Sequence, residues 1–342
     1  MFFRLSIGIP ELLVIQDPIP FKLIEDDNNV QIVIRPATEA DSDYGPLLYA
    51  VVCEATAEIR PSKNAAPLVD AIWEKRLPEG YDVNKLPESV RKVYEEHGLI
   101  EGFDLPLSDL PNSVQDLMHK AYRPIHSGIN RVIGTICWRS AQAVPIYHYY
   151  RGRMRWSVDA QEWRFSPVNA KVWMGHPPFI SGLAKPNFDE ILQSEYAPPF
   201  ARELFREAYS QKDINSRSAL VIGVAALETG VKDLIIELFP DTKWLVRHLP
   251  SPPITRILSE YFPNLRADNK QVLCPPSEMV QEIQKWIGRR NDLSHGKSAD
   301  IDVDELTEFL MLVSDILYLC DYARGFDWAL ELIRPQTRQA FG

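Results

Sequence analysis

The hydrophobic pattern of the chain changes period near residue 200. Beyond it, Leu220, Val224, Leu227, Val231, Leu234 and Leu238 recur at spacings of four and three. Leu306, Leu310, Val313, Leu317 and Cys320 form a second stripe of the same kind. Such spacings put side chains on one face of a helix, so each stripe predicts a long amphipathic helix. Asp302, with Glu305 three residues on, gives the second a capping-box-like start. Shorter helices are expected over 201–211, 253–261 and from Ser277 to about Arg290, the last with Ser277 as N-cap behind Pro275-Pro276. A stripe on each of four or five helices is what an antiparallel bundle needs to bury.

Before residue 200 the period is mostly two. Val30, Ile32 and Ile34 alternate with polar neighbours behind the turn signal Asp27-Asn28-Asn29. Residues 48–59, 132–138 and 145–156 are rich in β-branched and aromatic side chains and read as strands. Residues 163–173 are expected to pair with the last of these across a turn near Asp159. Helical patches interrupt the set over 66–75, 88–96 and 114–121. Nineteen of the 27 prolines precede Phe200, and Pro177-Pro178 and Pro198-Pro199 bracket a connector. The expected fold class is therefore α+β: a mixed, β-rich N-terminal domain over residues 1–195, then an all-α bundle over 200–335.

Composition narrows the function classes. At 342 residues the chain has room for two cores, and 45% apolar with 25% charged residues is ordinary for a globular protein. The longest apolar run, Ala219 to Leu227, is about half of a membrane span. Pro10 and Glu11 interrupt the N-terminal apolar stretch, which speaks against a signal peptide. Cys53, Cys137, Cys274 and Cys320 are scattered without metal-ligand spacing, as for reduced thiols in a cytoplasmic protein. No metal, cofactor or membrane partner is expected. The net charge is −10, and residues 200–342 carry 17 basic against 21 acidic side chains, so both parts are acidic. General polyanion binding needs clustered Lys and Arg; any nucleic-acid contact here must be a small local site.

One stretch carries candidate chemistry: Arg290-Asn291-Asp292-Leu293-Ser294-His295-Gly296. Val280, Ile283 and Ile287 lead to Arg290 on one stripe, which aims its guanidinium at the apolar side, where it needs a carboxylate or a functional reason. Gly296 stands where helices end in a left-handed residue. On a regular helix Arg290 and His295 lie about 140° apart, so they converge at a helix end or across a symmetric dimer rather than on one face. Arg-x4-His alone is unspecific. A purely structural alternative pairs Arg290 with Glu228 or Asp292 and leaves His295 as a helix cap.

With Asn after the Arg, Gly after the His and long striped helices on both sides, the region resembles the HEPN superfamily. Residues 218–228, ending in Glu228, look like the family's first long helix. The resemblance covers about 200–334, and a β-rich region ahead of such a bundle is similar to ApeA-like defence proteins. It implies a metal-independent ribonuclease in which a 2′-hydroxyl attacks the adjacent phosphate. On that reading His295 is the general acid or base, Arg290 binds the scissile phosphate, Asn291 orients the phosphate or the histidine, and Glu228 holds Arg290 or His295. It further implies RNA as substrate, a homodimer through the bundle, and a toxin-like role in antiviral defence or stress response, with the N-terminal domain sensing a phage or host trigger. A non-catalytic HEPN module for partner or nucleotide binding is the alternative.

Arg289 and Lys297 flank the motif as candidate RNA contacts. Arg151, Arg153 and Arg155, interleaved with aromatic residues, are further candidates for a single-stranded RNA platform, though the plainer reading of their i, i+2, i+4 spacing is one exposed strand face. His119 and His126 flank Arg123 without metal-ligand spacing and read as surface or satisfied histidines. Nothing in residues 1–195 supplies a recognisable catalytic set.

Overall fold

The structure, a computed structural model, describes residues 1–9, 18–38, 51–100, 103, 105–139, 154–165, 197–248, 253–264, 266–267, 270–271, 273–296 and 300–340. The fold is mixed, an antiparallel sheet of six strands in the N-terminal part and helices in the C-terminal part. The chain divides into two compact units: residues 1–133 with 147–195, and 134–146 with 196–342. No helix among the described residues is long and apolar enough to cross a membrane.

In the first unit, β1 (Phe2–Ile9), β2 (Ile19–Glu25), β3 (Asn28–Pro36), β4 (Val51–Glu58), β5 (Met154–Ser157) and β6 (Arg164–Phe165) form a sheet in the order β2-β3-β4-β1-β5-β6. Its register aligns apolar side chains in rows across the strands. Trp156, Phe3, Ala57, Val30 and Leu23 make one row, and Met154, Leu5, Ala55, Ile32 and Phe21 the next. All ten are buried. A slip of one residue would turn each strand's apolar set to the opposite face, so burial of one face fixes the pairing. On that opposite face Glu54 pairs with Arg4 at 3.4 Å and with Arg35 at 3.2 Å. The β2–β3 turn has two residues, Asp26 and Asp27, at φ 48° and 60°. Two left-handed residues match the twist of a tight hairpin, and short polar side chains tolerate them.

Helices α1 (Ala66–Trp73), α2 (Glu88–His97) and α3 (Asn112–Arg139) follow β4. α3 crosses the hairpin at Gly128, where an added Cβ would stand 3.1 Å from Ile32 Cδ1 and 3.4 Å from Val30 Cγ1. The expected strand over 132–138 is instead the C-terminal part of α3, whose last turn belongs to the second unit. Val132, Ile133 and Ile136 do favour strands locally, but they continue the apolar positions Val114, Leu117, Met118, Ala121, Ile125 and Ile129 at helical spacing, and all are buried. Burial along the long helix outweighs a local propensity worth a few tenths of a kcal/mol per residue. β5 and β6 pair across the turn expected near Asp159, whose Oδ1 accepts from the Gln161 and Glu162 amides at 2.8 and 3.1 Å.

The second unit contains α4 (Phe200–Gln211), α5 (Ser216–Leu238), the short α6 (Lys243–His248) and α7 (Ile254–Arg256), α8 (Ser277–Ser294), α9 (Val303–Ala323) and α10 (Pro335–Ala340). A two-residue hairpin, Arg266–Ala267 with Lys270–Gln271, stands before α8. Side-chain contacts give the helix directions. Gly223 faces Ala208 and Gly230 faces Ala201, so α4 and α5 run antiparallel. Trp286 stacks on Phe309 at 5.0 Å and Arg289 pairs with Glu305 at 2.8 Å, so α8 and α9 run antiparallel. Gly223 also meets Leu310, and Gly230 meets Leu317, which makes α5 and α9 parallel neighbours. The absence of Cβ atoms at the two glycines brings these helices close.

A buried carboxylate fixes the far end of the bundle. Asp321, 1% exposed, accepts from Arg202 Nη2 and from Trp138 Nε1, both at 2.7 Å, and from Arg324 Nη1 at 3.0 Å. Two charges removed from water need such extra hydrogen bonds to offset their lost hydration. Asp315 does the same for the C-terminal segment, accepting from Arg334 Nε and Thr337 Oγ1, each at 2.7 Å.

Candidate active site

The motif occupies the last two turns of α8. Pro276 is the N-cap and Ser277 the first helical residue, so the helix starts one residue earlier than expected, and it continues to Ser294, past the expected end near Arg290. Ile283 and Trp286 are the fully buried residues of this helix. Arg290 lies seven and four residues beyond them, spacings that return it to the packed side. There its Nη2 donates to Glu228 Oε1 of α5 at 2.5 Å, with 20% and 16% of the two side chains exposed. Arg290 Nε is enclosed and has no hydrogen-bond partner among the described residues. A charge-assisted bond supplies the attraction, while the unbonded Nε–H leaves the guanidinium incompletely satisfied.

His295 is the C-cap. Its amide donates to the Asn291 and Asp292 carbonyls at 3.0 and 3.2 Å, and Gly296 follows at φ 75° with its amide on the Leu293 carbonyl at 3.0 Å. These bonds satisfy carbonyls that the helix end would otherwise leave open. The His295 side chain is exposed, with no hydrogen bond or ion pair among the described residues. Asn291 is exposed beside it. Because α8 stays helical through Ser294, Arg290 and His295 diverge by about 140° around the axis and about 7.5 Å along it. Within one chain, therefore, they do not share a face.

A cleft of about 580 Å³ opens between the end of α8 and the start of α5, lined by the two sequence neighbours of His295 but not by His295 itself. Its walls are Leu293, Ser294 and Gly296 from the end of α8, and Arg217, Ser218, Val221 and Ile222 from the first turns of α5. Asn215 caps α5 by accepting from the Ser218 amide at 3.1 Å. Arg217 is exposed and unpaired among the described residues, and Val221 is an exposed apolar residue one turn further along α5. The cleft residues of α5 were not among the sequence candidates. The available signal was weak: an Arg and a Val four apart on the outer edge of the α5 stripe.

The flanking candidates are placed differently. Arg289 is committed to Glu305 and lies over the Trp286 ring at 4.5 Å. Arg155 is a half-buried residue of β5 whose guanidinium lies 5.0 Å from the centre of the Phe165 ring. Lys297, Arg151 and Arg153 lie outside the described residues. No protein-family model, curated protein or solved structure matches this chain.

Proposed function

We propose that the chain is a metal-independent endoribonuclease of the HEPN type, cytoplasmic and active as a homodimer. The observation that carries the reading is the exposed imidazole of His295, without a partner among the described residues, five residues after an arginine held by Glu228. In the reaction the substrate 2′-hydroxyl loses its proton to an imidazole and its oxygen attacks the adjacent phosphorus. The P–O5′ bond breaks, the O5′ oxygen takes up a proton, and the products are a 2′,3′-cyclic phosphate and a 5′-hydroxyl. Imidazole titrates near neutral pH and suits both proton transfers. The Arg290 guanidinium would meet the charge that grows on the phosphoryl oxygens, with Asn291 as a further donor and Glu228 as the positioning residue. The divergence of Arg290 and His295 in one chain favours a site completed by a second copy, where one imidazole acts as base and its mate as acid.

The N-terminal unit would restrain this activity until it meets a phage or host trigger, since an unrestrained ribonuclease harms its own cell. A second reading, a non-catalytic HEPN module, draws on the Arg290–Glu228 pair, an arrangement that a purely structural arginine would also make. Wild type, His295→Ala and Arg290→Ala, compared for circular dichroism, cleavage of single-stranded RNA and toxicity on expression, separate the two. Retained folding with lost cleavage in His295→Ala supports the enzyme. Cleavage by His295→Ala at the wild-type rate sinks it, and absence of cleavage and toxicity in every form, with or without phage, favours the module.

A further inference from the structure

A second cavity, of about 400 Å³, lies wholly within the first unit, between the β2–β3 turn and the first half of α3. It is lined by Asp26, Asn28, Asp116, His119, Lys120 and Arg123. The three basic side chains come from one turn of α3, and none makes a hydrogen bond or an ion pair among the described residues. Asp116 stands four residues before Lys120, the spacing at which helix-surface ion pairs form, yet that pair is not made. The next turns of the same helix behave otherwise: Ser127 donates to Glu25 Oε2 at 2.7 Å and Arg131 pairs with Glu25 Oε1 at 3.4 Å. The formal charges of the lining balance, Lys120 and Arg123 against Asp26 and Asp116, but the two cations stand together on α3 with their donors unused among the described residues and so remain open to an anion.

We propose that this cavity binds a phosphorylated, hydroxyl-rich small molecule of the sugar-phosphate class. A phosphomonoester offers three strong acceptor oxygens to Lys120, Arg123 and His119, and Arg can take two of them in parallel. Asp26, Asp116 and the Asn28 amide face the same space and accept hydrogen bonds from hydroxyls; they would repel a bare anion. All six lining residues are polar or charged, so there is no apolar floor for a nucleobase or an acyl chain. The volume lies within the range of small-molecule sites. This proposal does not depend on the nuclease reading.

The test is calorimetric titration of the full chain with ribose 5-phosphate, glucose 6-phosphate, free ribose and inorganic phosphate. Saturable one-to-one binding of at least one sugar phosphate is expected, tighter than either free ribose or inorganic phosphate. Lys120→Ala/Arg123→Ala should weaken it by about 10- to 100-fold, the loss of one or two charge-assisted bonds. Asp26→Asn/Asp116→Asn should narrow the preference for the sugar phosphate over inorganic phosphate. These side chains are exposed apart from Asn28, so the variants should keep the wild-type circular dichroism. Failure of both sugar phosphates to bind overturns the proposal. So does unchanged affinity in the basic double variant, or inorganic phosphate binding as tightly as the sugar phosphates.

Discussion

Arg290 and Glu228 come from helices 62 residues apart in sequence and meet in a half-buried contact. Replacing the carboxylate by its neutral isostere keeps the volume and removes the counter-charge from a guanidinium whose Nε has no partner among the described residues. Glu228→Gln should therefore lower stability by about 1–2 kcal/mol, read as a reduced urea midpoint at unchanged slope. An unchanged midpoint would mean that solvent already carries the arginine. A second single-residue effect concerns His126. It stacks on Tyr122 at 5.2 Å and shares a hydrogen bond of 3.2 Å with Asn130. Burial holds its imidazole below the usual value. The folded state thus prefers the neutral ring. Its contribution is complete above the ordinary histidine value near 6.5 and is lost as pH falls from there through the lowered folded value. Between pH 7.5 and 5, wild type should lose more stability than His126→Gln; parallel curves would refute this.

At the level of elements, α5 and α9 are fitted to one another by the two small residues on α5. A methyl group at Gly223 would stand 2.6 Å from Leu310 Cδ2, and one at Gly230 closer still to Leu317 Cδ2. Alanine at position 230 gains about 1 kcal/mol of helix propensity, but overpacking a close crossing costs about 1–3 kcal/mol. Gly230→Ala should therefore lower the thermal midpoint, while alanine at half-buried Gly288, where an added Cβ meets nothing within 4 Å, should raise it or leave it unchanged. The α5 and α9 stripes and the Asp302 cap, which accepts from the Glu305 amide at 2.9 Å, were legible because local spacing alone specifies them. The helix expected over 253–261 is only partly so: one α turn at Ile254–Arg256 passes into a wider π turn over Ile257–Tyr261. The strand expected over 132–138 misled because β-branched residues suit strands and buried helices alike, and only the reach of the preceding helix distinguishes them.

The whole molecule carries a net charge of −10 and four free cysteines. Cys53, Cys137 and Cys320 are buried, and burial pushes the thiols of Cys53 and Cys320 up to about 12. Only Cys274 has partial access to solvent. Since the thiolate is the reactive form, a native titration with a thiol reagent should show one fast thiol per chain, and four after denaturation. More than one fast thiol in the native protein would contradict the packing of both units.

Spacing along the chain was enough to announce a sheet-forming first part, a helical second part and a helix closing on Arg290, His295 and Gly296. These features arise from contacts within a few residues or from a repeating apolar face. Which carboxylate holds Arg290, the splay of Arg290 and His295 about their helix, and the cleft between the ends of α5 and α8 had to await the fold. So did the cluster of His119, Lys120 and Arg123 beside a hairpin some 90 residues earlier. Each of these joins segments distant in sequence, and the packing that joins them is chosen by the burial of whole faces rather than by any local pattern.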